Sequence, residues 1–164
     1  MGKEEFIKFD SVSKSFGKHH VLKDLDFSVP ASGIVGVMGL SGCGKTTLLN
    51  ILVGFWKPDK GHVLYNSIDI HGNKRIISQL FGFATQAGSV YPKLTVEENL
   101  AYFGKLYNMR SIDIKERVEE ILQFVDLGDA RNAIAEELST GMYRRLDIAC
   151  SMIHNPKVLL LDEP

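Results

Sequence analysis

Apolar and polar residues alternate along two N-terminal stretches, Phe6–Val12 and Leu25–Val29, and this alternation predicts half-buried β-strands. The polar segment Phe16–His20 between them contains a glycine, which predicts a loop. Gly33–Met38 is almost entirely apolar, and so is Val158–Leu161 near the end of the chain. Such short apolar runs are typical of strands that are buried on both faces of a parallel sheet. Both kinds of strand are therefore expected in this chain.

Apolar residues recur at helical spacing in three stretches after residue 90. Thr95 followed by Glu98 predicts a capping box at the start of the first helix, and Asp113 with Glu116 predicts a second one. Ser139 is expected to open the third helix. Strands and helices in this order indicate an α/β core with a helical insertion. The apolar stripes of the three helices are Val96, Leu100, Phe103 and Tyr107; Ile114, Val118, Ile121, Leu122 and Val125; and Met142, Leu146, Ala149, Cys150 and Ile153.

The composition indicates one globular domain, because 45% of the 164 residues are hydrophobic and the formal net charge is -1. The balance of 19 Lys and Arg against 20 Asp and Glu argues against a broad basic surface for nucleic acid. Cys43 and Cys150 are too few for a disulfide framework, so a reducing cytoplasm is expected. No apolar run reaches the roughly 18 residues of a membrane helix. Any work at a membrane would therefore need a partner.

The strongest chemical motif is Gly39–Thr46, whose sequence GLSGCGKT fits the phosphate-binding pattern G-x-x-x-x-G-K-[ST]. It lies between the predicted buried strand and a predicted helix at Lys45–Val53. Glycines allow successive backbone N–H groups to turn towards one anion, and the start of the helix adds the positive end of its dipole. Lys45 would bridge the terminal phosphates of a nucleotide, and the Thr46 hydroxyl would ligate Mg²⁺. The alternative is a glycine-rich turn between strand and helix.

Two acidic residues follow the apolar run Val158–Leu161. A phosphate-binding loop acts with a carboxylate at the end of a neighbouring buried strand, which holds Mg²⁺, and Asp162 stands at such a place. Glu163 beside it is predicted to polarise an attacking water as a general base. The alternatives are a strand that simply meets a turn at Asp162 and a solvated acid at Glu163. The loop upstream favours the catalytic interpretation.

The chain resembles the ATP-binding cassette (ABC) ATPases at four places, in the same order as in that family and over essentially its whole length. These places are Gly39–Thr46, Gln86, Leu138–Met142 and Leu161–Pro164. The resemblance implies an α/β fold: a P-loop NTPase core with a mostly parallel sheet, an antiparallel β subdomain at the N-terminus and an inserted helical subdomain. It implies one incomplete domain, with the core at residues 1–89 and 155–164 and the helical subdomain at 90–154. The family signature is L-S-G-G-Q, and residues 138–142 read LSTGM, so Ser139 and Gly141 match it after the leading leucine and Thr140 and Met142 depart from it.

The resemblance also implies roles for single residues. Phe16 would stack on adenine, the alternative being a phenylalanine of the core. Glu163 would be the catalytic base, and Gln86 would contact both Mg²⁺ and the attacking water. The implied Mg²⁺ ligands are Thr46, Gln86 and Asp162. The implied ATP-binding residues of the loop are Gly39, Leu40, Ser41, Gly42, Cys43, Gly44, Lys45, Thr46 and Thr47; those of the signature, which would contact ATP on the opposite protomer, are Leu138, Ser139, Thr140, Gly141 and Met142.

The implied function is that of the ATP-hydrolysing subunit of an ABC transporter, peripheral on the cytoplasmic face of the membrane. Such a subunit docks on separate transmembrane permease subunits and forms a homo- or heterodimer around ATP. The stretch LSTGMYRRL at residues 138–146 is most like that of exporters. The family continues past its catalytic acid with a partner-contacting segment, a strand and a histidine that contacts the γ-phosphate. The sequence is therefore expected to be a fragment that ends just after this motif.

Other classes of protein share parts of this pattern. ABC-type ATPases of DNA repair or chromosome architecture insert long coiled coils or zinc modules between the glutamine and the signature. The interval from Gln86 to Leu138 has no long heptad run and no cysteine cluster, which disfavours that class. A translation-associated ABC protein, with two cassettes in one chain, stays open as an alternative. A small-molecule kinase would share the phosphate loop but not the signature.

Overall fold

The computed structural model describes residues 5–72, 77 and 79–162. Internal contacts divide the chain into two units at the junction between Ile77 and Ser78. The assignment of residues 1–89 and 155–164 to one nucleotide-binding core stays a prediction. The strands are β1 (Glu5–Phe16), β2 (His19–Pro30), β3 (Lys60–Tyr65), β4 (Ile68–Asp69), β5 (Phe81–Ala84) and β6 (Val158–Leu161). The α-helices whose bounds lie wholly within the described residues are α1 (Lys45–Leu52), α2 (Val96–Leu106), α3 (Ser111–Phe124) and α4 (Thr140–Met152).

The first unit contains an antiparallel sheet in the order β2-β1-β3-β4. Its two longest strands, β1 and β2, extend the predicted strands at both ends, so the loop expected at Phe16–His20 is a turn of Gly17 and Lys18. Gly17 has φ 60°, a left-handed conformation that glycine adopts without steric cost. Phe9 is buried in the sheet, and its ring stacks on Phe27 of β2 with the centroids 4.4 Å apart. The two strands that the alternation predicted are therefore confirmed, and they pair as an antiparallel hairpin.

Helix α1 begins at Lys45 and ends at Leu52, followed by Val53 as its C-cap. Gly54 comes next with φ 76°, as the predicted end of this helix requires. The inward face of α1 consists of Leu48, Ile51 and Leu52, all of which are buried. Burial of this face stabilises a helix that is too short to be stable alone in water.

The prediction for Gly33–Met38 is wrong, because this segment is neither a strand nor buried. Ile34 is 102% exposed and Met38 is 95% exposed. A strand that is buried on both faces of a sheet needs hydrogen-bonded neighbours for its backbone. Neither of the two sheets in the described residues includes this segment. Its apolar character therefore indicates a segment that could be buried, but no strand in the described residues pairs with it.

The second unit is built on two parallel strands, β5 and β6, with Ala84 opposite Leu161. The connection between these strands contains helices α2, α3 and α4, as a parallel pair requires a long crossover. The predicted stripes form one hydrophobic cluster, in which Phe103, Tyr107 and Met142 are partly buried and the other stripe residues are buried. Strand β6 is less buried than expected, since Leu159 and Leu161 are each 37% exposed.

The start of α2 is a capping box, as predicted. The Thr95 hydroxyl accepts the N–H of Glu98 at 3.1 Å, and the Glu98 carboxylate accepts the N–H of Thr95 at 2.8 Å. The capping box predicted at Asp113 is wrong, because α3 already begins at Ser111. Asp113 instead accepts two hydrogen bonds of 2.6 Å from the guanidinium of Arg110, the N-cap residue. Asp113 is therefore the third residue of the helix and not its N-cap.

Candidate functional site

The segment Gly39–Thr46 forms a loop whose backbone suits an anion. Gly42 and Gly44 have φ 77° and 100°, left-handed values that turn neighbouring N–H groups to one side of the chain. Helix α1 starts directly after Gly44, no side chain caps it, and its first turn contains no acidic residue. The N-terminal N–H groups and the positive end of the helix dipole are therefore available to a negatively charged group.

Glycine is required at position 44 for two separate reasons. A Cβ atom there would lie 2.9 Å from Cγ1 of Val21 and 3.1 Å from Cδ2 of Leu22, so the loop lies directly against β2. A φ of 100° is also strained for any residue with a side chain. A Cβ at Gly39 would lie 2.6 Å from Sγ of Cys43, within the loop itself. The loop is thus closely packed on itself and on the hairpin.

Lys45 folds back over this loop. Its Nζ donates to the carbonyl oxygens of Gly39 and Leu40, at 3.0 Å each. The ammonium group therefore lies beside the backbone that forms the anion site and is held there by neutral acceptors. An approaching phosphate would offer stronger, charge-assisted hydrogen bonds to the same group.

Phe16, at the end of β1, lies in the same unit and is 44% exposed. Its ring contacts Trp56 edge to face, with the centroids 4.9 Å apart. The Nζ of Lys14 lies 5.6 Å from the centre of the Phe16 ring. The alternative that Phe16 belongs to the core is therefore wrong, and part of its ring remains accessible for stacking.

In the second unit, the structure brings Gln86 and Asp162 to the same end of the β5–β6 sheet. Both follow the carboxyl ends of paired parallel strands, and the N–H of Asp162 donates to the carbonyl oxygen of Ala84 at 3.0 Å. Asp162 is buried, with 8% of its surface exposed, whereas Gln86 is exposed. Carboxyl ends of parallel strands are common positions for ligand-binding groups in α/β proteins.

The predicted signature forms the start of α4. Ser139 is its N-cap and accepts the N–H of Met142 at 3.3 Å, as predicted for a helix that opens there. Thr140 and Gly141 are exposed, and a Cβ at Gly141 would contact nothing within 4 Å. The first turn has no acidic residue. Leu138 is partly buried against the hydrophobic cluster and anchors this end of the helix.

A family model described as ABC transporter matches residues 22–164. This chain belongs to the ABC transporter family. Its relatives include the Fe(3+) ions import ATP-binding protein FbpC of Photorhabdus laumondii, which is 34% identical, with 100% of this chain and 46% of the relative covered. The spermidine/putrescine import ATP-binding protein PotA of Protochlamydia amoebophila is 37% identical over 98% of this chain and 43% of its own length. The Nod factor export ATP-binding protein I of Paraburkholderia xenovorans is 36% identical over 98% of this chain and 53% of its own length.

This ABC chain spans about half the length of the curated relatives it matches. Two solved structures share its fold. One is an ATP-binding subunit of an ABC transporter, with a TM-score of 0.83 and 23% identity over 97% of this chain and 66% of that chain. The other is cbiO1 of Clostridium perfringens, described as part of the ABC transporter complex cbiONQ, with a TM-score of 0.88 and 23% identity over 98% of this chain and 66% of that chain. The α/β P-loop fold inferred from the sequence is therefore confirmed.

The predicted site residues fall into both units. The phosphate loop and Phe16 lie in the first unit, and Gln86, Asp162 and the signature lie in the second. Glu163 lies outside the described residues. No cluster of three or more His, Cys, Asp or Glu side chains occurs in the ranges that the structure describes. A single carboxylate such as Asp162 still suits magnesium, because this ion is commonly bound by one or two carboxylates together with nucleotide phosphates and waters.

Two residues on α4 of this ABC chain, Arg144 and Asp147, were not among the predicted site residues. They form an ion pair of 2.9 Å, and the Asp147 side chain is only 1% exposed. A sequence signal for them does exist, since an aspartate stands between the buried positions Leu146 and Ala149 with an arginine three residues earlier. A charged residue within a buried stripe usually has a partner, and the spacing i, i+3 provides one.

None of the helices in the described ranges is long and apolar enough to cross a membrane.

Proposed function

We propose that this chain binds and hydrolyses ATP as the ATPase part of an ABC transporter. The observation that carries the proposal is the loop Gly39–Thr46, in which left-handed glycines, an uncapped helix start and the ammonium of Lys45 lie together. These groups suit the phosphates of a nucleotide. Leu40, Ser41, Cys43 and Thr47 complete the proposed phosphate site through their backbone or side chains, and Phe16 would stack on the adenine.

Hydrolysis would use the second set of residues. We assign Mg²⁺ to Thr46, Gln86 and Asp162, because a hydroxyl, an amide oxygen and a carboxylate are hard oxygen ligands. The ion would neutralise charge that develops on the phosphates. Gln86 would orient the attacking water, and Glu163 would accept its proton. Asp162 suits its role because it is buried at the end of a strand and so has few conformations available.

The signature would act on ATP that is bound to a second protomer. An exposed helix start with Ser139 as its N-cap and Gly141 open to solvent allows a phosphate to approach the backbone closely. Leu138, Thr140 and Met142 would shape this surface. A homo- or heterodimer of ATPase domains would then enclose two ATP molecules. Closure and opening of this dimer would be transmitted to transmembrane permease subunits at the cytoplasmic face of the membrane.

We further propose that the transporter is an exporter. The stretch at residues 138–146 resembles that of exporter subunits, and one relative is named as an export protein. Other relatives are named as import proteins, so the test measures substrate transport both into and out of the vesicles.

The full-length protein, purified and then reconstituted in vesicles with candidate permease subunits, tests the proposal. We expect ATP hydrolysis that requires Mg²⁺ and that is lost in Lys45→Ala. Substrate movement is measured in both directions. A folded protein that binds no nucleotide in calorimetry would refute the ATPase assignment. Hydrolysis without any stimulation by the membrane partner would refute the role in transport and leave the ATPase assignment intact.

A further inference from the structure

Arg144 connects α4 to both strand ends that carry proposed catalytic groups. Its Nη1 donates to the carbonyl oxygen of Thr85 at 2.8 Å, immediately before Gln86. Its Nη2 donates to the carbonyl oxygen of Asp162 at 3.1 Å. One guanidinium thus spans the residues that follow β5 and β6. Because guanidinium is planar and rigid, these two contacts fix the distance between the two strand ends.

Asp147 holds the other side of the same segment. Its Oδ1 accepts the N–H of Ser89 at 2.8 Å and the Ser89 hydroxyl at 2.9 Å. Within the segment, the N–H of Gly88 donates to the carbonyl oxygen of Thr85 at 3.1 Å. Gln86 therefore lies in a short turn whose two ends are each bound to α4, one by Arg144 and the other by Asp147.

The two side chains also depend on each other. Nη1 of Arg144 lies 2.9 Å from Oδ2 of Asp147, and Asp147 is almost completely buried. A buried carboxylate without a cation is strongly unfavourable, so Asp147 favours the position of the arginine beside it. Tyr143, the preceding residue of α4, adds a hydrogen bond of 3.3 Å from its hydroxyl to the carbonyl oxygen of Val90.

We propose that Arg144 and Asp147 are positioning residues that hold Gln86 and Asp162 in the arrangement required for hydrolysis. This inference rests on the proposed ATPase function. The same pair connects these groups to the helix that begins with the signature, since Ser139 is the N-cap of α4. A movement of α4, such as one that follows contact of the signature with a nucleotide, would be transmitted to the Gln86 turn through hydrogen bonds at both of its ends.

The test compares Arg144→Met, Arg144→Lys and wild type in the full-length protein. The methionine variant removes the guanidinium bonds to Thr85, Asp162 and Asp147 but keeps an extended side chain. We expect its kcat to fall by about 10²-fold, the usual effect of a small misplacement of catalytic groups. The Kd for ATP should not change with it, and the Mg²⁺ concentration for half-maximal rate should rise. Lysine offers one point charge instead of a fork and should restore kcat only in part.

The neighbouring arginine provides a matched control. Arg145 also donates from α4 to backbone carbonyls, but to those of Val125 and Asp126, at 2.8 and 3.0 Å. Arg145→Met therefore removes a similar set of bonds away from the Gln86 turn. We expect a loss of stability with kcat unchanged. An equal loss of kcat in both variants would show a general structural effect and would overturn the proposal.

Hydrogen exchange provides a measurement that does not depend on activity. In Asp147→Ala, the amide of Ser89 loses its acceptor and should exchange faster, whereas amides of the α2 interior should not change. If Asp147→Ala does not fold, Asp147→Asn weakens the same bond at constant size and is expected to show a smaller increase. Unchanged exchange at Ser89, or Arg144→Met with wild-type kcat and Mg²⁺ dependence, would overturn the inference and leave the ATPase assignment intact. A wild type without Mg²⁺-dependent ATPase activity would refute both.

Discussion

The imidazole of His154 stacks on the phenol ring of Tyr107, with the ring centroids 3.6 Å apart and the planes 13° from parallel. Its Nε2 lies 3.2 Å from the carbonyl oxygen of Phe81, so this nitrogen is the one that carries the proton. Its Nδ1 is buried and has no hydrogen-bond partner in the part of the chain that the structure describes. Burial lowers the pKa of His154, and the positive charge of Arg117 lowers it further. The neutral ring is therefore the favoured form in the folded state.

This histidine predicts a loss of stability in mild acid. Because the pKa of His154 is lower in the folded state than its ordinary value of about 6.5, the unfolded chain binds more protons below that pH. The free energy of unfolding therefore decreases as the pH falls from neutral towards the folded-state pKa. We expect His154→Phe, which keeps the stacking but does not titrate, to show a smaller decrease in Tm over this range. His19→Gln, at an exposed position, is the control and should behave like wild type.

Asn99 is a second buried polar group with a structural task. Its Oδ1 accepts the N–H of Tyr91 at 2.8 Å, and its Nδ2 donates to the carbonyl oxygens of Tyr91, Leu94 and Thr95. Asn99→Ala removes the acceptor of the Tyr91 N–H, and an unsatisfied buried group costs about 1–3 kcal/mol, whereas the three carbonyl oxygens keep backbone donors from Leu94, Ala135 and residue 99. We therefore expect a loss of about 1–3 kcal/mol in urea unfolding. Asn132→Ala, at an exposed position, should change little; a similar loss in both variants would contradict this explanation.

The bond between Lys45 and its own loop predicts a specific effect on nucleotide affinity. Charge-assisted hydrogen bonds to phosphate are worth about 1.5–3 kcal/mol each, so Lys45→Ala should weaken ATP binding at least tenfold. Because the ammonium of Lys45 donates to the exposed loop carbonyls of Gly39 and Leu40, Tm should change little. Calorimetry on wild type, Lys45→Ala and the exposed control Lys60→Ala measures this. An unchanged Kd in the folded Lys45 variant would eliminate the phosphate-loop assignment.

Phe16 should contribute to adenine binding rather than to stability. Since its ring is 44% exposed, Phe16→Ala should cost much less than the roughly 3–5 kcal/mol of a core phenylalanine. The Kd for ATP should rise, while the Tm of the nucleotide-free protein stays close to that of wild type. Phe9→Ala is the contrasting variant, because Phe9 is 1% exposed and its loss should lower Tm strongly. A large loss of stability in Phe16→Ala with unchanged affinity would contradict the stacking role.

Glu163 is predicted to be the general base. In the full-length protein, Glu163→Gln should keep ATP affinity but slow hydrolysis by about 10²–10⁴-fold, the usual contribution of such a group. Since unhydrolysed ATP would hold the closed dimer, this variant should also accumulate as a dimer when ATP is present. Sedimentation with and without ATP measures the dimer, and Glu116→Gln on the surface of α3 is the control. Rapid hydrolysis by Glu163→Gln would assign the base to another residue.

The sequence predicted those features whose cause is local. The capping box of Thr95 and Glu98, the stripes of the helices and the glycines at 42 and 44 each depend on neighbours within a few residues. Features that depend on distant partners could not be read in the same way. The ends of β1 and β2 are set by pairing across the hairpin, and the segment at Gly33–Met38 lacks the neighbours that its apolar pattern requires.

The candidate site shows the same division. The loop at Gly39–Thr46 is contiguous, and its chemistry follows from its spacing. The contacts of Arg144 reach 59 residues back to Thr85 and 18 residues forward to Asp162, so only the folded chain brings them together.

The exposed segment around Ile34, Val35, Val37 and Met38 has a practical consequence for anyone who handles this polypeptide. It is rich in β-branched residues, carries no charge between Pro30 and Lys45, and offers backbone donors and acceptors along with its apolar side chains. Segments of this kind pair with copies of themselves and seed cross-β aggregates. The isolated 164-residue polypeptide is therefore expected to lose solubility steeply with concentration. A single lysine at position 35 or 37 should delay that loss by interrupting the pairing surface.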